Sequence, residues 1–144
     1  MKIVVLKFGG TSVGTINKIK KVAEIIAEYK KKNYKIIVVS SAMSGVTNEL
    51  IRKSRKISKN FVNSEYDVLV SSGEQVACSL IAGRLLHKGF KSRSWLAWQI
   101  PIFTNGIHKN SRIYEIAKKK ITNYIKEGGT PIIAGFQGIN SQER

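Results

Sequence analysis

The first forty residues contain two apolar runs separated by an amphipathic segment, and this order restricts the folds that the chain can adopt. Residues 3–6 are apolar and largely β-branched, and Lys7 and two adjacent glycines follow them closely. That pattern predicts a buried strand that opens into a tight loop. Residues 16–27 repeat apolar side chains at helical spacing, with Asn33 as the expected stop, and residues 36–39 predict a second buried strand. A strand, helix and strand in this order build a parallel sheet through a right-handed crossover, so an α/β protein is predicted.

The rest of the chain continues this alternation of strands and helices. Two helices are predicted over residues 46–59 and 68–86, and Gly89 closes the second. The remaining predicted elements are strands at 90–95, 100–104 and near Ile113, a basic helix at 116–125 and a buried strand at 131–134. No internal repeat or low-complexity linker divides the sequence, so one domain is expected.

The chain carries a formal net charge of +16, which raises nucleic acid or an anionic membrane as possible partners. The lysines are spread along helical faces, as solvated residues are, and no nucleic-acid-binding motif accompanies them. The single cysteine, Cys78, excludes an intramolecular disulfide and fits a reducing compartment. Neither a secretory signal nor a membrane span is found in the sequence. We therefore expect a cytoplasmic protein without a nucleic-acid or membrane partner.

A loop with two adjacent glycines lies where the first strand gives way to the first helix. Gly9 and Gly10 let backbone N–H groups approach an anion without an obstructing Cβ, and the helix N-terminus adds partial positive charge. Lys7 would add the full charge that offsets negative charge on a transferring phosphoryl group. The loop is not a Walker A motif. A tight turn without any ligand has the same pattern, so the residues leave both interpretations open.

Two further segments carry candidate ligand groups. Residues 40–48 follow the second strand at its carboxyl end, the edge where open parallel sheets bind ligands. Their hydroxyl groups could hydrogen-bond a carboxylate, and they are also expected to cap the helix that starts near Val46. Glu74 lies among small and apolar residues, so its carboxylate is expected to be partly desolvated and to need a cation. A substrate ammonium or an internal lysine or arginine would meet that need.

The remaining reactive or aromatic side chains receive structural interpretations. His87 and His108 have no ligand spacing around them, so no metal site is predicted. Cys78 lies on the apolar side of its helix and is interpreted as a buried small hydrophobe. Trp95 and Trp98 are expected to pack in the core or at an interface.

In their order along the chain, several motifs resemble those of aspartate kinases, which have the amino acid kinase fold. The motifs are KFGGTSVG, SAMSGVTN, SGEQV, RSWLAWQIP, NSRI and AGFQG. The resemblance covers essentially the whole chain. It implies a three-layer α/β/α sandwich with a mainly parallel sheet, as in carbamate kinase, in which residues 1–144 form the N-terminal part of the catalytic domain.

The activity implied by the resemblance is phosphorylation of L-aspartate by ATP, with Mg²⁺ accompanying the nucleotide. The product, 4-phospho-L-aspartate, feeds the synthesis of lysine, threonine, methionine and diaminopimelate. Lys7 would stabilise the transferring group, and Glu74 would pair with the substrate ammonium. The implied phosphate-binding residues are Lys7, Phe8, Gly9, Gly10 and Ser41, and the implied aspartate-binding residues are Thr47, Glu74, Arg112 and Ile113. Such a reaction needs no protein nucleophile, because the substrate carboxylate is itself nucleophilic.

The resemblance also implies parts that are missing from this sequence. In aspartate kinases a TTLGRGGSD segment follows AGFQG, and the adenosine pocket and two regulatory ACT domains come later. The fold is therefore expected to be incomplete at its C-terminal side, with the strand at 132–134 exposed at a sheet edge. The alternatives are a non-catalytic remnant, half of a split enzyme completed by a second chain or by a homo-oligomer, and a basic nucleic-acid-binding protein supported by charge alone.

Overall fold

A four-stranded parallel sheet forms the centre of the protein, for which a computed structural model describes residues 3–143. In chain order the elements are β1 (Ile3–Phe8), α1 (Ile16–Lys31), β2 (Lys35–Ser40), α2 (Val46–Ile57), α3 (Asn63–His87), β3 (Ser92–Trp95), β4 (Ile102–Thr104), β5 (Ile113–Ile116), α4 (Lys119–Lys126) and β6 (Thr130–Ala134). The strand order in the sheet is β1-β2-β6-β3, and β4 and β5 form a separate antiparallel pair. The predicted α/β class with a mainly parallel sheet is confirmed.

Each face of the sheet has its own hydrophobic core, because successive side chains of a strand point to opposite faces. Ile36 and Val38 of β2 belong to the core that α1 and α3 cover, whereas Ile37 packs into the core on the α4 side. On α1 the buried side chains recur at helical spacing, which explains why this helix was predictable. They are Ile19, Val22, Ala23, Ile26 and Ala27. The helices on the two faces make the protein a three-layer sandwich.

The last strand lies inside the sheet, so the prediction that residues 132–134 form an exposed edge is wrong. β6 pairs with β2 on one side and with β3 on the other. An edge is occupied instead by β1, whose Ile3 and Val5 side chains are 42% and 61% exposed. The prediction of a buried first strand is therefore also wrong. An apolar run indicates that a strand forms, but the strands beside it are set by long-range pairing that the run does not encode.

The helices match their predicted positions apart from α3 and the start of α4. α3 begins at Asn63 rather than Val68, because its polar first turns lack the apolar period that marks the rest. Val76 and Leu80, although they belong to the apolar pattern of this helix, are 51% and 37% exposed. The buried side carries small residues, which let the helix approach both the sheet and α2 closely: Gly73, Ala77, Cys78 and Ala82. Ile116 belongs to β5 and not to the basic helix.

Two glycines of α3 provide a matched test of this close packing. A Cβ at Gly73 would lie 2.9 Å from Cγ1 of Val46 and 3.2 Å from Cβ of Ala42, whereas a Cβ at Gly83 would meet nothing within 4 Å. We expect Gly73→Ala to lower the free energy of unfolding by about 1–3 kcal/mol through overpacking. Gly83→Ala should raise it by about 0.5–1 kcal/mol, because alanine favours the helix. Urea denaturation followed by circular dichroism measures both, and equal effects would contradict the packing of α3 against α2.

Candidate functional site

Three loops meet at the carboxyl ends of β1, β2 and β6, which lie at the same edge of the parallel sheet. The N–H group of Ser41 donates a hydrogen bond of 3.0 Å to the carbonyl of Phe8, and the N–H group of Gly135 donates one of 3.0 Å to the carbonyl of Ser40. The chain segments that leave the three strands are therefore joined side by side. This edge is where ligands bind in open parallel sheets.

The glycine loop after β1 turns sharply into α1. The N–H groups of Ser12 and Val13 both donate to the carbonyl of Gly9, at 2.9 and 3.2 Å. The ammonium of Lys18 donates to the carbonyl of Thr11 at 2.9 Å and so holds the outer part of the loop. A Cβ at Gly9 would meet nothing within 4 Å, so the space beside this residue is open. An open space next to a glycine loop and a helix N-terminus suits a phosphate group.

The serine-rich segment after β2 holds this glycine loop instead of capping α2, so the capping prediction is wrong. The N-cap of α2 is Gly45, with φ of 81°, and no side chain bonds the first-turn amides. The hydroxyl of Ser44 donates to the carbonyl of Gly10 at 3.0 Å. The glycine loop and the serine-rich segment lie so close together that a Cβ at Gly14 would lie 2.6 Å from Oγ of Ser44. A Cβ at Gly10 would lie 3.2 Å from the carbonyl of Ala42. The glycines are therefore required by the approach of the two loops.

Glu74 projects from α3 toward the junction of these loops and is only 7% exposed. The backbone N–H group of Ala42 donates a hydrogen bond to its carboxylate. A Cβ at Gly135 would lie 2.7 Å from Oε2 of Glu74, which places the end of β6 directly against the carboxylate. This oxygen, Oε2, is buried without a hydrogen-bond partner among residues 3–143. A buried carboxylate oxygen without a partner is costly, so the site favours a ligand that donates to it.

Burial raises the pKa of Glu74, and the Ala42 hydrogen bond and the positive charge of Lys7 act in the opposite direction. Lys7 therefore lies near enough to Glu74 to favour its charged form. In the described part of the chain, however, Glu74 forms no salt bridge with a lysine or arginine. The sequence left two possible cations for Glu74, a substrate ammonium and an internal lysine or arginine, and the described residues do not form the internal ion pair. The carboxylate remains available to a cationic group from outside.

The other predicted site residues occupy two different places. Ser41 lies at the sheet edge beside Phe8, and Thr47 is the second residue of α2, where it is partly buried. Arg112 and Ile113 lie at the start of β5, and the backbone of Arg112 exchanges hydrogen bonds with Asn105. The structure thus brings Lys7, the glycine loop, Ser41 and Glu74 to one edge. Arg112 and Ile113 belong to the β4–β5 pair.

A cleft of about 500 Å³ lies beside α3, between the loop that enters β5 and the segment after β6. Ser71 and Gln75, one turn apart, line it from α3, while Glu74 lies on the neighbouring face toward the sheet. Ile113 lines the cleft from the opposite side. Phe136 also lines it, with φ of 46° and 63% of its surface exposed. A bulky residue in the left-handed region is unusual and points to a functional constraint.

Sequence reasoning assigned no role to several of these residues. Gln75 and Phe136 lie inside the SGEQV and AGFQG motifs, so the motifs were the available signal. His108 was interpreted as a loop histidine, yet its Nδ1 lies 2.7 Å from Oδ2 of Asp67. These two residues are 41 positions apart, so no local spacing could reveal the pair. Trp98 is 58% exposed and lines the cleft, whereas Trp95 is buried as expected.

The structure also limits other chemistry in the described region. Cys78 is fully buried in the core, as predicted, and burial raises the pKa of its thiol to about 12. Within residues 3–143, no group of three or more His, Cys, Asp or Glu side chains is placed to hold a metal ion. Over the same residues, no helix is both long and apolar enough to cross a membrane.

The buried carboxylate predicts a pH-dependent difference between wild type and Glu74→Gln. Because burial raises the pKa of Glu74, the folded protein binds a proton more readily than the unfolded chain. The stability that this protonation contributes is present below the unfolded-state pKa and is lost as the pH rises through the folded-state pKa. Glu74→Gln, which keeps the acceptor for Ala42, should be more stable than wild type at pH 7 by on the order of 1 kcal/mol.

Urea denaturation of both proteins between pH 4 and pH 8 measures this difference, which should shrink toward the acid end. Glu115→Gln is the control, because Glu115 is an exposed carboxylate on β5. Its effect should stay within about 0.5 kcal/mol at every pH. A wild type that is more stable than Glu74→Gln at pH 7 would contradict the unpartnered state of this carboxylate.

Comparisons with known proteins agree on one family. The family model described as "Amino acid kinase family" matches residues 2–144. The chain is 44% identical over 147 residues to an aspartokinase of Rickettsia felis, covering 100% of this chain and 37% of that protein. It is 42% identical over 142 residues to an aspartate kinase of Stutzerimonas stutzeri, covering 99% of this chain and 34% of that protein. The chain therefore spans about a third of the length of these curated relatives.

Solved structures show the same fold. The aspartate kinase from Synechocystis superposes with a TM-score of 0.80 at 33% identity, covering 96% of this chain and 22% of that one. E. coli aspartokinase III in complex with aspartate and ADP gives 0.82 at 22% identity, covering 99% of this chain and 42% of that one. Giardia carbamate kinase gives 0.72 at 12% identity, covering 96% and 61%, which shows the fold alone. The predicted carbamate kinase-like fold is confirmed.

Proposed function

The chain belongs to the amino acid kinase family, and from this membership we propose that it is the N-terminal part of an aspartate kinase. The reaction is transfer of the terminal phosphoryl group of ATP to the side-chain carboxylate of L-aspartate. The product, 4-phospho-L-aspartate, would feed the synthesis of lysine, threonine, methionine and diaminopimelate. A cytoplasmic location is part of the proposal and fits the single, unpaired cysteine.

One observation supports this function above the others: a buried carboxylate oxygen of Glu74, which has no hydrogen-bond partner among residues 3–143, lies near Lys7 and the glycine loop. An amino-acid substrate carries an ammonium group that would satisfy Glu74. A nucleotide carries phosphates that suit Lys7 and the loop amides. The two needs are met at the same sheet edge by the two substrates of one phosphoryl transfer. Aspartokinase III of E. coli, which shares this fold, has been solved with aspartate and ADP.

The proposed mechanism assigns charge neutralisation to the sheet edge. Backbone N–H groups of residues 8–10 and the α1 N-terminus would hold the ATP phosphates, with Ser41 near the transferring group. Lys7 would offset the charge that develops on that group. An oxygen of the aspartate side-chain carboxylate forms the new bond to phosphorus while the bond to ADP breaks, and ADP leaves with the electron pair. Mg²⁺ bound to the nucleotide supplies further neutralisation of phosphate charge.

Positioning of the acceptor is assigned to residues on three other elements. Glu74 on α3 would pair with the substrate ammonium, and Thr47 on α2 would donate a hydrogen bond to the substrate. Arg112, followed by Ile113 on β5, would present a cation to an anionic group of aspartate. Holding the reacting oxygen in line with the leaving group accounts for much of the rate enhancement in such reactions. The protein therefore needs no nucleophile of its own.

Glu74→Gln and Lys7→Met separate the two halves of this proposal. Glu74→Gln keeps a hydrogen-bond acceptor and removes the charge, so we expect it to weaken L-aspartate binding at least tenfold. Lys7→Met should leave aspartate affinity within a factor of three and weaken binding of ATP with Mg²⁺ at least tenfold. Isothermal calorimetry with each ligand measures both, with Glu115→Gln as the control. Equal aspartate affinities of wild type and Glu74→Gln would contradict the assigned ammonium site.

A second candidate, the half of a split enzyme that a further polypeptide completes, is favoured by the exposure of β1. Parallel sheets are normally covered on both faces, and an exposed edge strand is a template for pairing. β1 nevertheless leaves Ile3 and Val5 exposed. The curated relatives are about three times as long as this chain, so they contain further polypeptide that could cover this strand. In this interpretation Lys7, which lies on the same strand, would bind phosphate only after the further polypeptide has packed against β1.

Val5 and Val62 provide a matched pair for testing this second candidate, because their side chains are 61% and 63% exposed. The probe is the part of the Rickettsia felis aspartokinase beyond the region that this chain matches. We expect Val5→Lys to weaken its binding to the chain at least tenfold, since binding would bury an unpaired charge. Val62→Lys should bind like wild type. Light scattering measures both complexes, and equal binding of the two variants would contradict docking at β1.

A further inference from the structure

The loop that connects β4 to β5, residues 105–112, is held together by its own hydrogen bonds. Oδ1 of Asn105 accepts from the N–H groups of Ile107 and Arg112, at 3.4 and 3.1 Å. The N–H group of Asn105 donates to the carbonyl of Arg112 at 3.2 Å. The hydroxyl of Ser111 donates to the carbonyl of Ile107 at 2.8 Å. A loop closed in this way moves as one unit, so its position depends on where it is attached to the rest of the protein.

The carboxylate of Asp67 attaches this loop to α3. Oδ2 of Asp67 lies 2.7 Å from Nδ1 of His108 and accepts a hydrogen bond of 3.1 Å from the N–H group of Lys109. The Asp67 and His108 side chains are 30% and 25% exposed, so solvent screens this pair less than a surface ion pair. Lys109, with φ of 65°, also places its ammonium 4.4 Å from the ring centroid of Tyr66. Two successive loop residues are thus fixed to the first turns of α3.

α3 connects this attachment point to the buried carboxylate of the site. Asp67 precedes Glu74 by seven residues, about two turns or roughly 10 Å along the same helix. Asp67 and Gln75 line the cleft together with Ile113, which follows the loop directly. Because both carboxylates lie on one continuous helix, the attachment at Asp67 sets how far this end of the loop lies from Glu74.

We propose that Asp67 is a positioning residue that fixes the loop of residues 105–112. Its carboxylate binds His108 and the backbone of Lys109, and in this way it holds Arg112 and Ile113 at a set distance from Glu74. The role rests on the proposed function, because Arg112 and Ile113 matter only if aspartate binds between this loop and Glu74. The attachment of the loop itself is independent of the substrate.

Hydrogen exchange of the full chain tests the attachment. In Asp67→Ala and His108→Ala we expect the amides of residues 106–112 to exchange about tenfold faster, while those of β6 keep their wild-type rates. His108→Asn should restore slow exchange, because the asparagine side-chain N–H₂ can take the place of Nδ1 as donor to Asp67. Glu115→Gln, a neutralised carboxylate on β5, should behave like wild type. Unchanged loop exchange in Asp67→Ala would overturn the proposal.

Two further measurements cover the case in which a variant does not fold and separate the attachment of the loop from the proposed function. If Asp67→Ala does not fold, His108→Ala carries the test, and faster loop exchange in that variant supports the proposal while unchanged exchange overturns it. Calorimetry with L-aspartate then addresses positioning: we expect at least fivefold weaker binding in His108→Ala and wild-type binding in His108→Asn. Equal affinities in wild type and His108→Ala would overturn the positioning role. A wild type that binds no aspartate, with the loop still freed in Asp67→Ala, counts against the proposed function alone.

Discussion

The desolvation of the Glu74 carboxylate is the constraint on which the arrangement of the site depends. A charged group at this depth is stable only if the surrounding atoms compensate for lost water. The protein compensates one part, through the amide of Ala42 and the nearby charge of Lys7, and leaves Oε2 without a partner among the described residues. That partial compensation requires the ends of β2 and β6 to approach α3 closely, which is why glycine occupies position 135. The packing and the chemistry of the site thus have the same cause.

Local patterns predicted the parts of the fold that local patterns determine. The apolar spacing of α1 and the run in β2 were sufficient, because each element buries one face whatever its neighbours are. The desolvation of Glu74 was predictable from its small and apolar neighbours for the same reason. The order of strands was not predictable, since β6 enters between β2 and β3 through contacts distant in sequence. The hydrogen bond from Ser44 to Gly10 and the pair of Asp67 with His108 join segments 34 and 41 residues apart. They were not predicted, because local sequence patterns do not encode contacts over such separations.

The strong positive charge takes on a more specific meaning once the site is known. ATP and aspartate, the two proposed substrates, are both anions, and a field from a net charge of +16 raises the local concentration of anions without selecting among them. Selection among anions would depend on short-range groups at the sheet edge, where Glu74 is an acid in a strongly basic protein. In the proposed site the Glu74 carboxylate, whose Oε2 has no partner among residues 3–143, would favour an acceptor that carries an ammonium over one that lacks it. Attraction and discrimination are therefore carried by different residues.

The exposed edge strand has a thermodynamic consequence for the cation that it carries. Lys7 lies near the end of β1, which pairs on one side with β2 and leaves Ile3 and Val5 largely exposed to water. Strands with few buried contacts open more often than the centre of a sheet, with a free energy below that of global unfolding. Any polypeptide that pairs with β1 therefore lowers the entropy cost of holding Lys7 in place, and a phosphate that holds Lys7 strengthens the pairing in return. Under the proposed function, assembly and nucleotide affinity would then be two measurements of one linked equilibrium.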